Sequence, residues 1–522
     1  MYRLGVDVGG TNTDAVVMHG RQVLAGVKAA TTEDVTSGVL EALEQVLAKA
    51  GVERGRIANV MIGTTHFTNA VIERKHISQV AAIRLGLPAT ACLPPMVDWP
   101  DALRQATGDL AYLVRGGYEF DGRPIAPLDE AEIDRIADDL AAKKVKAAAI
   151  SSVFSPINQE MEQTARARLQ RKLPDLPVVL SSDIGRIGLL ERESAAIMNA
   201  SLLALSARTV DAFAKALRTT GLDCPFYITQ NDGTLMDAEM VKRFPVLTFA
   251  SGPTNSMRGA AFLTGIRNGI VVDIGGTTTD VGALQHGFPR QAATVVDIGG
   301  VRTNFRMPDV FSIGLGGGSL VRRDRDGAVT VGPQSVGYRI ASEALVFGGE
   351  TLTATDVAVR LGQAGIGEPA RVAGIEDGLA REARATITRM LETAVERSRI
   401  SPEPVPVIAV GGGSILMPDR LGTLEVLRPD HFAVANAVGA AIAQISGEVD
   451  RIYSLENGLT RESCLKEAET EATERAIGAG ADAATIEVIE REDVPLAYLP
   501  GNATRIHVKV VGDMGGVDAH QA

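Results

Sequence analysis

The chain is 522 residues long, a length that at roughly 100–200 residues per domain predicts about three domains. Apolar residues make up 45% and charged residues 22%, which excludes disordered and fibrous classes, and 52 Lys+Arg against 64 Asp+Glu give a net charge of −12 and a pI near 5.3, against a protein built to grip a nucleic-acid backbone. Glycine is in excess at 55 positions while aromatics are only 4%, so the chain has many sites for close backbone approach and few platforms for stacking bases.

Cys92, Cys224 and Cys464 lie far apart and form no Cys-x-x-Cys pair, which argues against a cysteine-built zinc site and fits a reducing cytoplasm. Arg3 and Asp7 interrupt the first apolar run, so no signal peptide is expected, and no apolar stretch reaches the ~18 residues that span a bilayer.

In chain order, Tyr2 to Val6 reads as a short strand ending at an aspartate, and Ala15 to Met18 as a second one. Between them lies Asp7-Val8-Gly9-Gly10-Thr11-Asn12-Thr13-Asp14. The segment Thr36 to Ala50 carries Val39, Leu40, Leu43, Val46 and Leu47 at helical spacing, and Asn59 to Ile62 before Gly63 reads as a strand. Residues 128–144 begin Leu-Asp-Glu-Ala-Glu and continue as an amphipathic helix into a buried-strand candidate, Ala147 to Val153. Gly269 to Val272 then leads into Asp273-Ile274-Gly275-Gly276-Thr277-Thr278-Thr279-Asp280 and a further strand, Val281 to Leu284. Leu379 to Arg397 reads as a long helix, Val405 to Val410 as a buried strand and Ala433 to Ser446 as a small-residue helix. Beyond residue 450 an acidic helix, Glu462 to Ala479, precedes strand signals at 484–490 and 504–511, with a frayed tail expected from Gly512. The alternation is that of an α/β protein with mixed sheets.

The two octapeptides are copies 266 residues apart, one in each half, which predicts two related lobes. Each is set between strands and is expected to be a hairpin turn, unlike the two common phosphate loops, which open helices; neither fits Gly-x-Gly-x-x-Gly, and the chain has no Gly-Lys pair. Glycines let backbone amides face an anion without Cβ interference, and threonine hydroxyls add donors to phosphate oxygens. Carboxylates beside phosphate imply a divalent cation such as Mg²⁺, held partly through water. Two such hairpins facing each other would grip a polyphosphate from both sides. A third partial copy, Val295 to Gly300, continues as Val301-Arg302-Thr303-Asn304, lacks the second carboxylate and is expected to be a structural hairpin. Gly411-Gly412-Gly413-Ser414 follows an apolar strand, a corner where a nucleoside can lie on bare backbone, and Gly316-Gly317-Gly318-Ser319 offers a second close-approach loop.

Two Asp-x-Gly-Gly-Thr-x-Thr-Asp hairpins, a later Gly-Gly-Gly-Ser, and small-residue segments at Ser194-Ala195-Ala196 and Ala437-Val438-Gly439-Ala440-Ala441 resemble the nucleotide signature of the actin and sugar-kinase superfamily. More specifically, the chain resembles the N-methylhydantoinase A and 5-oxoprolinase family, also found as a subunit of acetone-type carboxylases. The ordered stretches that carry this likeness run from residue 2 to about 365. They include Gly63-Thr64-Thr65-His66-Phe67-Thr68-Asn69-Ala70, Glu191-Arg192, Gln230-Asn231-Asp232-Gly233-Thr234, Ser251-Gly252-Pro253 and Val331-Gly332-Pro333-Gln334-Ser335. The chain departs from the family at Asp309-Val310-Phe311-Ser312, where an imidazole is usual, and at Tyr338 to Gly349, which has no cysteine.

The resemblance implies two actin-like (ribonuclease H-like) lobes: a first lobe from 1–84, an inserted α/β segment over 85–180, a hinge and second lobe over 181–450, and a small C-terminal α+β unit over 451–522. It implies ATP with Mg²⁺, phosphorylation of an amide or ketone oxygen followed by hydrolysis or carboxylation, and a second, hydantoinase B-like subunit in a homo- or hetero-oligomer. Asp7 and Asp273 are expected to hold the metal, and Asp14 and Asp280 to act in catalysis. Gly9, Gly10, Thr11, Asn12, Thr13, Gly275, Gly276, Thr277, Thr278 and Thr279 are expected on the β- and γ-phosphates. Gly316 and Gly317 are placed near the reacting group, and Gly411, Gly412, Gly413 and Ser414 at the adenosine. His66 is expected to pack, and Glu191 to pair with Arg192 at the hinge. A cyclic-amide hydrolase leads; a ketone carboxylase subunit, a small-molecule kinase and a non-enzymatic ATP-switched protein are the alternatives.

Overall fold

The computed structural model describes every residue except 11, 31–34, 293–294, 400, 402, 456–457, 498–501 and 516–522. Strand β1 (Tyr2–Val8) turns back into β2 (Asn12–His19) and β3 (Gln22–Ala30), then helix α1 (Val35–Ala50) leads to β4 (Ile57–Thr64), which lies parallel to β1, and on to α2 (His66–Glu73). The apolar stripe read from the sequence decides how α1 sits: Val39, Leu43, Val46 and Leu47 are buried, in one core with Leu4, Val6, Ala15 and Val17.

An inserted unit follows, with its own core and a four-stranded parallel sheet ordered β6-β5-β7-β8: β5 (Val80–Leu87), β6 (Leu110–Arg115), β7 (Ala147–Ser152) and β8 (Val178–Leu180). Its helices are α3 (Asp101–Ala106), α4 (Glu130–Lys143) and α5 (Glu160–Lys172). Asp129 caps α4 by accepting the Glu132 amide at 3.0 Å, a contact worth about 1 kcal/mol. The chain then returns through the long helix α6 (Leu189–Thr219) to β9 (Phe226–Thr229), β10 (Thr234–Asp237), α7 (Ala238–Arg243) and α8 (Ser251–Thr264).

The first lobe takes more of the chain than residues 1–84. Its sheet runs β10-β9-β4-β1-β2-β3, so residues 226–237 belong to it and not to the second lobe. The strands Gln444–Tyr453, Thr504–Gly512 and Glu487–Pro495 continue the same sheet outward from β10, giving nine strands. The C-terminal segment is therefore an extension of the first lobe, with helix Arg461–Gly478 packed on it, and not a separate unit. The helix expected over 433–446 is shorter, Ala435–Ala441, because Gln444 already pairs with Thr234.

The second lobe repeats the first. Strand β11 (Gly269–Ile274) lies between antiparallel β12 (Thr279–Gln285) and the parallel strand Val407–Val410, as β1 lies between β2 and β4. Helix Asp377–Ser398 packs its buried face, Ala380, Ala383, Ile387 and Leu391, into the core of this seven-stranded sheet. Between the lobes, α8 crosses helix Ala435–Ala441 at backbone contact. A Cβ on Gly259 would lie 1.9 Å from the Ala435 carbonyl oxygen, and one on Gly439 would lie 1.8 Å from that of Asn255. Among the described residues no helix is long and apolar enough to cross a membrane.

Candidate active site

The two octapeptides are hairpins of the same construction. Asp7 pairs directly with Asp14 across β1 and β2, and Asp273 with Asp280 across β11 and β12, so each hairpin sets two carboxylates side by side at its base. At the tips, the Gly9 amide donates to the Asn12 carbonyl at 3.0 Å and the Gly275 amide to the Thr278 carbonyl at 2.9 Å. The tips face each other across an interlobe cleft of about 450 Å³. Gly9, Gly10, Asn12, Asp14, Asp273, Gly275, Gly276, Thr277, Thr278, Gly411 and Gly412 all line it.

Other expected contacts turn away from the cleft. Thr13 and Thr279 are fully buried, and the Thr279 hydroxyl donates to the Leu315 carbonyl at 2.7 Å, because alternation along β2 and β12 aims these side chains inward. Gly316 and Gly317 approach protein backbone: a Cβ on Gly316 would lie 2.5 Å from the Thr277 nitrogen, and the Gly317 amide donates to the Gly275 carbonyl at 3.0 Å. That triplet buttresses the second hairpin from behind. Gly413 and Ser414 are buried beneath Gly411 and Gly412, and Thr11 lies outside the described residues. The third, partial copy is a two-stranded hairpin, Val296–Ile298 with Val301–Thr303, whose Ile298 and Val301 pack in the first lobe's core.

Four side chains of the site carry no signature in the sequence. Lys28, opposite Asp14 in the β2–β3 register, grips both Asp14 oxygens at 2.6 and 2.7 Å. The Asn436 amide donates to both Asp7 (3.0 Å) and Asp14 (2.8 Å), tying the hairpin base to the interlobe helix. Asn255 donates to Asp7 at 3.1 Å and to the Thr229 hydroxyl at 3.0 Å, and the Ser256 hydroxyl donates to Asp273. Tyr338, from the stretch that departs from the family pattern, also lines the cleft.

The four carboxylates cluster at the hairpin bases: Lys28 holds Asp14 and offsets the charge of Asp273, while Asp7, which is buried, and Asp280 lie behind the residues that line the cleft. Burial pushes the Asp7 carboxyl up to about 6, with Asp14 and Asp273 adding repulsion and the two asparagine donors opposing it. Burial and Asp273 push Asp280 up to about 6 despite a hydrogen bond from Ser312, and burial raises Asp273 as well. Such a cleft favours a divalent cation. Mg²⁺ with a nucleotide is usually held by one or two carboxylates, water and substrate phosphates, a donor set that the carboxylates of Asp14 and Asp273 in the cleft lining can supply in part. Gly411, at φ +84°, supplies bare backbone where a Cβ would lie 2.2 Å from Asp273 Oδ1. Amide-rich tips, hard oxygen ligands and a glycine cradle fit a magnesium nucleotide.

Elsewhere, His66 is half-buried at the start of α2 beside Phe67 and outside the cleft lining, with burial lowering its pKa. Glu191 and Arg192 do not pair: Glu191 meets Arg302 at 3.1 Å, while buried Arg192 donates to the Ser181 hydroxyl and to the carbonyls of Ser152 and Arg186. The buried ion pair near this point is Arg84 with Glu193. Phe311, where the family usually has an imidazole, lies under the Arg397 guanidinium, 4.3 Å from ring centroid to Cζ.

Family profiles described as the hydantoinase/oxoprolinase N-terminal region and hydantoinase/oxoprolinase match residues 3–173 and 192–365. The chain is 29% identical over 471 residues to the caprolactamase subunit alpha of Pseudomonas jessenii, covering 84% of this chain and 65% of that one. It is 28% identical to the acetophenone carboxylase gamma subunit of Aromatoleum aromaticum, covering 69% and 53%. The chain therefore spans about half to two thirds of the length of these relatives. The crystal structure of the ATP-dependent caprolactamase from Pseudomonas jessenii superposes with a TM-score of 0.78 at 22% identity, over 98% of this chain and 88% of that one, which places the chain in the same fold.

Proposed function

Because the chain belongs to the hydantoinase/oxoprolinase family, we propose that it is an ATP-dependent hydrolase subunit that activates a cyclic amide of the hydantoin, 5-oxoproline or lactam type by phosphorylating its amide oxygen. The observation that carries the reading is the pair of facing hairpins with four carboxylates at their bases, in a chain similar over 84% of its length to a caprolactamase subunit. An amide carbon is a poor electrophile and its oxygen a poor leaving group. ATP supplies a phosphoryl group that corrects both, leaving positioning and charge neutralisation as the protein's task.

In this reading the amides at Gly10 and Gly276 and the Thr277 and Thr278 hydroxyls orient the β- and γ-phosphates, while Gly9 and Gly275, whose amides close the two turns, offer the phosphates a surface without Cβ atoms. Asp7 and Asp273 hold Mg²⁺ through water. Asp14, poised by Lys28 and Asn436, and Asp280, poised by Ser312, orient the hydration shell or move a proton at the reacting oxygen. Gly411 and Gly412 carry the nucleoside. The balanced reaction consumes the cyclic amide, ATP and two waters, one added across the amide bond and one accounting for phosphate release, and yields the ring-opened amino acid (its N-carbamoyl derivative from a hydantoin), ADP and phosphate. A second subunit completes the ring opening, in line with relatives named as subunits. A cytoplasmic location suits the use of ATP. Similarity to a carboxylase gamma subunit favours ketone carboxylation as the second reading.

The test is ADP release from Mg-ATP with hydantoins, 5-oxoproline, lactams and ketones, with and without the candidate second subunit and bicarbonate. Release that depends on a cyclic amide supports the hydrolase. Release that needs a ketone and bicarbonate establishes the carboxylase, and a stable phosphoester from this chain alone establishes a kinase.

A further inference from the structure

A second cavity, about 390 Å³, opens where two sheets present their carboxyl-terminal edges to each other. One wall follows β7 and β8 of the inserted unit (Gln159, Ser182 to Ile187); the other follows β9 of the first lobe (Gln230 to Asp232) and is closed by the strand Gln444–Tyr453. Crevices at the carboxyl ends of parallel strands are where open α/β sheets bind ligands. The strand register fixes its place relative to the nucleotide cleft. Ile62 pairs with both Val6 and Ile228, so Gln230 sits level with Thr64 and Val8, two strands or roughly 10 Å from the first hairpin. Asn255 spans the gap by bonding Asp7 and Thr229 together.

Charge in the cavity is arranged around one unfilled position. Arg306 is taken by Glu448 and Glu490 at 3.0 and 2.9 Å, Arg505 by both oxygens of Asp450, and Asp232 by Lys509. Arg451 and Arg475 share Glu471. Asp183 is influenced by Arg166 and Arg243, outside the cavity. Arg186 is the exception. Its nearest carboxylate oxygen, on Asp450, is 3.9 Å away, and among the described residues its guanidinium makes no hydrogen bond. Burial and the like charges of Arg306 and Arg505 lower its pKa, and the carboxylates of Asp450 and Glu448 offset this only in part, so an anion at the guanidinium would favour its charged form. The loop that carries it is held by buried Arg192, which bonds Ser181 and the Arg186 carbonyl, so the fork is presented on a fixed backbone. Ile184, Leu247, Phe305 and Ile452 supply apolar wall for a small ring.

We infer that this cavity is the substrate pocket and that it selects a cyclic amide bearing a carboxylate, received by the Arg186 guanidinium. The inference rests on the proposed cyclic-amide reading and adds the location and charge of the substrate. The test compares 5-oxoproline with 2-pyrrolidinone, the same ring without the carboxylate, by calorimetric titration of the full chain and of Arg186→Gln, with ADP titrated into the same samples. Wild-type protein is expected to bind 5-oxoproline at least ten-fold more tightly than 2-pyrrolidinone. Arg186→Gln is expected to erase that difference while leaving ADP affinity and thermal midpoint unchanged. Equal affinity for the two rings, binding of neither, or a preference that survives Arg186→Gln would overturn the inference. Failure of the ATP-coupled reading shows separately, as absence of ADP binding.

Discussion

Above about pH 6, ionised Asp280 works against the folded state. Its carboxyl is raised from 3.8 to about 6, so its contribution to stability is full below pH 3.8 and is lost as pH rises through 6. Asp280→Asn, which mimics the protonated acid, is therefore expected to raise the thermal midpoint of the metal-free chain at pH 7.5 but not at pH 4.5, while lowering ATP turnover by roughly 10²-fold. An equal shift at both pH values, measured by differential scanning calorimetry, would contradict the assignment. At this scale the sequence was readable where the chemistry is local: both octapeptides carry their aspartates, glycines and turn within eight positions. Lys28 was hidden because only the strand register places it opposite Asp14. Asn255 and Asn436 reach Asp7 from helices about 250 and 430 positions away, and nothing near them in the chain marks them as polar contacts of the site.

Among the elements, the α8 crossing with helix Ala435–Ala441 sets how the lobes meet. Gly439→Ala places a methyl 1.8 Å from the Asn255 carbonyl oxygen, on the helix that delivers Asn255 and Ser256 to the two hairpin bases. It is expected to cost about 1–3 kcal/mol or more in urea unfolding and to weaken ATP binding with it. Gly365→Ala, where a Cβ meets nothing within 4 Å, is expected to change neither. Composition showed the small residues of 437–441 but not their partner, because α8 reads as an ordinary polar and apolar mixture. The glycine triplets show the opposite limit. Gly411-Gly412 faces the cleft and Gly316-Gly317 faces a hairpin backbone, yet both read alike, since close approach to a ligand and to a neighbouring chain make the same demand on Cβ.

Over the whole molecule, duplication explains the architecture: two sheets, each with a central strand flanked by an antiparallel hairpin partner and a parallel neighbour, meet with their hairpin tips across one cleft. The inserted unit and the C-terminal strands are built onto the first lobe, so that lobe carries both the Arg186 cavity and half of the nucleotide cleft. The strands after residue 480 were legible as strands, but their membership of the first sheet was not, because they join it through Gln444–Tyr453, whose own pairing with β10, Thr234 with Gln444, spans 210 positions and leaves no local trace. The central claim is that the two hairpins form one magnesium-nucleotide site. Calorimetric titration of the chain with ATP, with and without Mg²⁺, tests it most directly: one nucleotide per chain is predicted, dependent on Mg²⁺ and lost in both Asp7→Ala and Asp273→Ala with the fold retained by circular dichroism. No binding to the wild-type chain, or undiminished Mg²⁺-dependent binding in either variant, would contradict it.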